Sequence, residues 1–149
     1  MDQFFIAAII SLSLIGASTA IFYEILAHIW VNLPRLNGHP RLQIITTIFA
    51  VFLGHTAIVW LFGVSYYVLD KQFDFGTLGG NITHEMLEYV YFSAVSYSSL
   101  GLGDVYPTEG LQLLVGVEAI LGLILIGWSV TFTYLVTEKY LFHRRNPHN

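Results

Sequence analysis

The 149-residue chain contains no cysteine. No disulfide, thiolate metal centre or dithiol redox motif can therefore be built from it. Charge is scarce as well: Asp, Glu, Lys and Arg make up 11% of the residues, where a soluble domain carries about a quarter. Six Lys and Arg against ten Asp and Glu leave a net charge of -4, which speaks against a nucleic-acid-binding face. The opening MDQFFIAAII begins on an acid and lacks the positive n-region of a secretory signal, so it is expected to remain as a helix. No run carries repeated arginines, so no voltage-sensing helix is expected. Internal repeats and low-complexity tracts are missing too. There is no nucleophile elbow, no phosphate loop and no Ser-His-Asp order, so no enzyme is expected. Nor is a ligand-sensing domain expected, since the third run is followed only by a short stretch ending in HRRNPHN.

What fills the chain instead is apolar length. Hydrophobic residues account for 55% of it, and the mean hydropathy is +0.65. Residues 4–33, 42–69 and 111–136 form three apolar runs of at least 26 residues each, more than the roughly 20 needed to cross a hydrocarbon core. The reading is an all-α membrane protein with three transmembrane helices. PRLNGHPR, with two prolines and a glycine, breaks the first run from the second. Arg35, Arg41, Lys139, Arg144 and Arg145 fall on one face, and Lys71 alone falls on the other. The basic face is expected to be cytoplasmic, which puts the N-terminus outside and the C-terminus inside. Trp30, Tyr66 and Tyr67 lie near run ends, where an aromatic belt is expected.

The segment between the second and third runs is different in kind. NITHEMLEYVYFSAVSYSSLGLGDVYP holds a moderately apolar stretch over residues 84–98. At about 22 Å of helix it is too short to span. It reads as a re-entrant helix, with Asn81 or Thr83 able to cap it and Glu85 and Glu88 suited to its positive end. Residues 99–103 then return the chain to the outside. A non-helical backbone at membrane depth must line a polar cavity or be buried in protein, because its N–H and C=O groups find no partners in lipid. Gly101 and Gly103 alternate with Leu100 and Leu102. Glycine adopts positive φ readily, so such an alternation can turn successive carbonyls the same way and replace the hydration shell of a cation.

On these residues the chain resembles the pore-loop potassium channels, and among them small bacterial proteins with three spans and a single pore loop. The family's Thr-Val-Gly-Tyr-Gly-Asp filter is matched by Ser99, Leu100, Gly101, Leu102, Gly103 and Asp104. YFSAVSYSS resembles the pore helix, DVYP the segment past the filter, and EAILGLILIGWS the inner helix. The resemblance implies a passive, potassium-selective channel in the plasma membrane. Four copies would close into a homotetramer within the lipid bilayer, since one loop cannot encircle an ion. Residues 42–149 would form the pore module and residues 1–41 an extra helix and cytoplasmic loop. Potassium ions would be held by Ser99, Leu100, Gly101, Leu102 and Gly103, with Asp104 at the outer mouth. Leu102 departs from the family's aromatic and cannot make its hydrogen bond. A non-selective cation channel of the same architecture therefore stands beside the potassium reading.

Three further sets of residues carry expectations. Glu118 lies about 10 Å below the start of its run, at filter depth. It is expected to bond to the pore helix at Ser96 or Tyr97, either supporting the filter or only tying two helices together. Gly122 is a hinge candidate, or a small residue that lets helices pack closely. His28 and His55 invite a rival reading as ligands of a membrane-embedded metal or haem, against an ordinary structural role. Glu24 and His28, four residues apart, are expected to pair.

Overall fold

A computed structural model describes residues 2–36 and 39–142. Helix α1 (Asp2–Asn32) ends in a single 3-10 turn, Leu33–Leu36. Helix α2 (Pro40–Phe73) starts on a proline, whose missing N–H is no loss at a helix's first position. A short strand β1 (Leu78–Gly80), helix α3 (Met86–Tyr97), strand β2 (Val105–Pro107) and helix α4 (Leu111–Thr137) follow, and a π-helical turn, Glu138–Phe142, closes the order. Three helical stretches, Gln3–Leu36, Pro40–Phe73 and Leu111–Tyr140, are long and apolar enough to cross a membrane. They coincide with the three runs. Arg144 and Arg145, which contribute to the expected basic face, lie outside the described residues.

The helices bury one seam each. Phe22, Ile58, Phe62, Tyr66, Tyr89, Leu111, Leu114 and Leu125 are buried at their junction. Phe22 of α1 packs on α2 beside Gly54, where a Cβ would sit 3.1 Å from its ring. Its ring also meets those of His55 and Trp128, at centroid distances of 4.9 and 5.9 Å. Contact between α2 and α3 is closer still: a Cβ on Gly63 would lie 2.7 Å from Val90 Cα. The outer faces stay apolar, as Ile120, Leu123, Ile124 and Val130 do on α4. That distribution suits a chain whose surroundings are lipid or further protein rather than water.

Two local features differ from expectation. The re-entrant helix is shorter than residues 84–98, and neither Asn81 nor Thr83 caps it. Glu85 is the N-cap, in a reciprocal capping box with Glu88. The Glu88 carboxylate accepts from the N–H of Glu85 at 3.0 Å and also from that of Thr83 at 2.9 Å. Those N–H groups, Thr83 first, hold the Glu88 carboxyl below the usual carboxylate range. A carboxylate with two chain donors in reach is a better acceptor than a hydroxyl or amide with one, and so it wins the end of the helix.

The second difference is the antiparallel ribbon of β1 and β2, which pairs Leu78 with Pro107, Gly79 with Tyr106 and Gly80 with Val105. Three-residue strands carry no legible period. At Gly79 a Cβ would press on the Tyr106 ring, and at Gly80 it would collide with the Asp104 carbonyl. Tyr66, read as a belt residue, is instead fully buried in the helix junction.

Candidate functional site

The site is built from α3 and the six residues after it. α3 is 12 residues long, about 18 Å of helix, which is half a span. Its last turn hands over to the loop through backbone bonds: Ser99 N–H donates to Ser96 O at 2.9 Å, and Leu100 N–H to Val95 O at 3.0 Å. The loop then alternates. Ser99, Gly101 and Gly103 have φ of +57, +56 and +79, and the leucines between them do not share that region. Gly101 and Gly103 were expected to do this. Ser99 does it as well, at the cost a side chain pays in left-handed backbone.

Residues 99–104 are all exposed in the single chain, with Leu100 at 63% and Leu102 at 58%. Among the described residues, no N–H or hydroxyl donates to the carbonyls of residues 99–103. Buried or membrane-depth carbonyls are rarely left without donors. Here five in a row, in alternating backbone, have no donor among the described residues. Beside the loop lies a cleft of about 290 Å³, open in the single chain and lined by Phe92, Val95, Ser96, Leu102, Val115 and Ala119 among others.

Polar side chains hold the helix that carries this loop. Glu118 of α4 is fully buried. Tyr66 donates to its Oε2 at 2.6 Å, and the Ser93 hydroxyl meets its Oε1. Ser93 also lies 2.9 Å from the carbonyl of Val59. Glu118 thus reaches α3 as expected, but through Ser93 rather than Ser96 or Tyr97. Ser93 lies one turn nearer the N-terminus of α3, so Glu118 meets the middle of the helix. Ser96 is buried and, among the described residues, takes part through its backbone carbonyl alone. Tyr97 is bonded to His55, at 2.7 Å from Oη to Nδ1, and His55 Nε2 lies 3.1 Å from Ser129 Oγ. At Gly122 the Tyr97 carbonyl occupies the space a Cβ would fill. Gly116 and Gly127 have no such neighbour.

At the outer end, Tyr91 donates to Asp104 Oδ2 at 2.8 Å, and that bond raises the phenol above its ordinary range. The Asp104 carbonyl accepts from Asn81 N–H at 3.3 Å, which joins the loop's exit to the ribbon. Asp70 collects Thr77, at 2.8 Å, and Tyr89, with His84 Nδ1 at 3.6 Å.

The two histidines of the metal reading have separate surroundings. His28 is exposed beside a groove with Glu24, Ile29 and Ala50, and among the described residues it does not pair with Glu24. Both ring nitrogens of His55 are already hydrogen-bonded, so it has no lone pair to offer without losing Tyr97 or Ser129. Tyr66, Ser93, Ser129 and Tyr91 were not singled out as site residues. The legible signal was small: Ser93 and Tyr97 stand four apart in FSAVSY, on one face of a short helix.

A family model described as "Ion channel" matches residues 54–138, from the middle of α2 to the end of α4. No curated protein and no solved structure matches the chain.

Proposed function

The chain belongs to the pore-loop ion channel family, and from that premise we propose that it is a passive, potassium-selective cation channel working as a homotetramer in the plasma membrane. The observation that carries this reading is the run of donor-free carbonyls at residues 99–103, in alternating backbone at the end of a half-length helix. Four such loops around one axis supply rings of oxygens that replace a cation's hydration shell. Ser99 adds its hydroxyl. The C-terminal end of α3 points its negative dipole at the same axis and favours a cation arriving from below. Asp104, oriented by Tyr91, concentrates cations at the outer mouth. Lys139, Arg35 and Arg41 face the cytoplasm, with the N-terminus outside. Gly122, packed on the last carbonyl of α3, is the point about which α4 bends.

A non-selective channel of the same architecture is favoured by one observation: the cleft of about 290 Å³ beside Leu102. A leucine beside an open cleft, 58% exposed in the single chain, braces the loop less than a hydrogen-bonded aromatic would. Reconstitution into liposomes with an outward potassium gradient separates these readings. Cation flux that falls at least tenfold when sodium replaces potassium supports selectivity. Equal fluxes support the second reading, and no cation flux at all overturns both. Mass measurement of the detergent-solubilised assembly should give four chains; a dimer or trimer as the sole species removes the four-loop pore.

A further inference from the structure

The filter uses residues 99–104, and Glu118 spends its oxygens on Tyr66 and Ser93. The His55 cluster is left without a role in either. Its protons can be counted. Ser129 has one hydroxyl proton, and it goes to Ile126 O at 2.7 Å. Toward His55 the Ser129 oxygen is therefore an acceptor, and His55 Nε2 carries the imidazole proton. Nδ1 is then bare and accepts from the Tyr97 hydroxyl. Each donor is used once. Tyr97 and Ser129 are 4% and 6% exposed, so removing the imidazole leaves two buried polar groups without partners.

The position of this bridge matters as much as its chemistry. Tyr97 is the last residue of α3, two before Ser99, and its carbonyl rests on Gly122. Ser129 lies seven residues past Gly122, about 10 Å further along α4. One ring on α2 thus joins the base of the filter to the far half of α4. We propose that His55 is a positioning residue for conduction, holding Tyr97 and the first filter residues in register with α4 at Ser129, so that a shift of α4 beyond Gly122 is passed to the filter through this imidazole. This inference rests on the channel reading.

Single-channel recording of the full chain in bilayers tests it, with His55→Leu, His55→Gln, Tyr97→Phe and the double variant His55→Leu with Tyr97→Phe. His55→Leu and Tyr97→Phe should each shorten mean open time about tenfold, the scale of one lost hydrogen bond, at unchanged unitary current and ion selectivity. Glutamine offers an acceptor to Tyr97 and an N–H to Ser129, so His55→Gln should restore open times to within about threefold of the parent. The double variant should be no worse than either single one. An unchanged open time in Tyr97→Phe, which removes one oxygen and little else, overturns the proposal even where His55→Leu fails to assemble. So does a glutamine variant no better than leucine, or an additive double variant. Nitrogen-15 spectra of histidine-labelled protein, with the His55 signals assigned by their loss in His55→Gln, should show the Nε2–H tautomer; the Nδ1–H form overturns the proton assignment. That spectrum needs no current, so a parent that conducts nothing yet shows the Nε2–H form brings down the channel reading while leaving the bridge itself in place.

Discussion

α3 and the loop after it are neighbours in sequence and opposites in how they treat polar groups. Along α3, buried side-chain oxygens other than that of Ser96 are engaged: Ser93 with Glu118 and Val59, Tyr97 with His55, Tyr89 with Asp70. Along residues 99–103, the carbonyls have no donor among the described residues. The first arrangement is what burial demands, because an unpaired polar group in an apolar surround costs about 1–3 kcal/mol. The second is open in the single chain and would be equally costly at membrane depth unless water or a ligand completes it. The contrast teaches that the two belong together. A bank of bare carbonyls keeps its spacing only if the element that carries it is fixed on every side, and side chains of α2 and α4 do the fixing.

The contrast can be broken most severely at the loop. Gly101 sits at φ +56 with nothing within 4 Å of a would-be Cβ. Gly101→Ala therefore meets no clash, and its cost is backbone strain alone, about 1–2 kcal/mol in each chain. Repeated in each chain of the proposed tetramer, this should abolish cation flux while leaving the assembly intact by size-exclusion chromatography. Parent-like flux from this variant would mean that left-handed backbone at 101 is not needed for conduction.

Next in size is the loss of a partner on the helix side. Glu118→Leu strands the Tyr66 hydroxyl and weakens the hold on Ser93, and should lower stability in detergent by roughly 2–4 kcal/mol, read from thermal or denaturant unfolding. Glu118→Gln keeps an acceptor for Tyr66 and offers an N–H to Ser93, which can then donate to Val59, so its loss should stay under about 1 kcal/mol. Equal losses for the two would show that the network adds nothing beyond side-chain volume. Flux through the glutamine variant, compared with the parent, then separates support of the filter from a plain helix tie.

A change meant to sharpen the contrast is Leu102→Tyr. The cleft of about 290 Å³ beside the loop gives the larger ring somewhere to go. The expected result is an increase of severalfold in potassium-over-sodium flux with little change in stability. A fall in selectivity would mean that the cleft is filled by a neighbouring chain rather than open to this side chain.

The smallest expected effect is that of acid at the start of α3. The Glu88 carboxyl is held below its ordinary range by the N–H groups of Thr83 and Glu85. A group depressed by folding stabilises above its unfolded value, and that contribution fades as pH falls through the folded one. The first turn of α3 should therefore be unaffected between pH 5 and 8 on general carboxylate values, and loosen only below about pH 4. Amide exchange at the Glu85 and Thr83 N–H groups should report this, and Glu88→Gln should remove most of the pH dependence.

Much of the architecture was legible before any coordinates. Three runs longer than a bilayer, a half-length helix and a glycine alternation are properties of neighbouring residues, and they reappear as α1, α2, α4, α3 and the loop. Glu118 was legible as a buried acid at filter depth, because an ionisable group inside an apolar run has to find partners. The partners themselves were not. The ribbon of β1 and β2 was missed because three residues are too few to show a period. The positive φ of Ser99 was missed because serine, unlike glycine, has no intrinsic preference for it; its place after the last turn of α3 imposes it.

By itself the sequence determined class and span count, the place of the carbonyl-bearing loop and the two glycines it requires. These rest on composition and on spacing within a few residues, and hydrophobic burial and backbone sterics act at that range. Only the tertiary structure decided that Glu118 meets Ser93 and Tyr66, and that His55 joins Tyr97 to Ser129. Those pairs lie 25, 52, 42 and 74 residues apart. Which of several serines and tyrosines a buried group reaches depends on how helices rotate and slide as they pack. A one-turn difference, such as that between Ser93 and Tyr97, leaves no mark on local pattern.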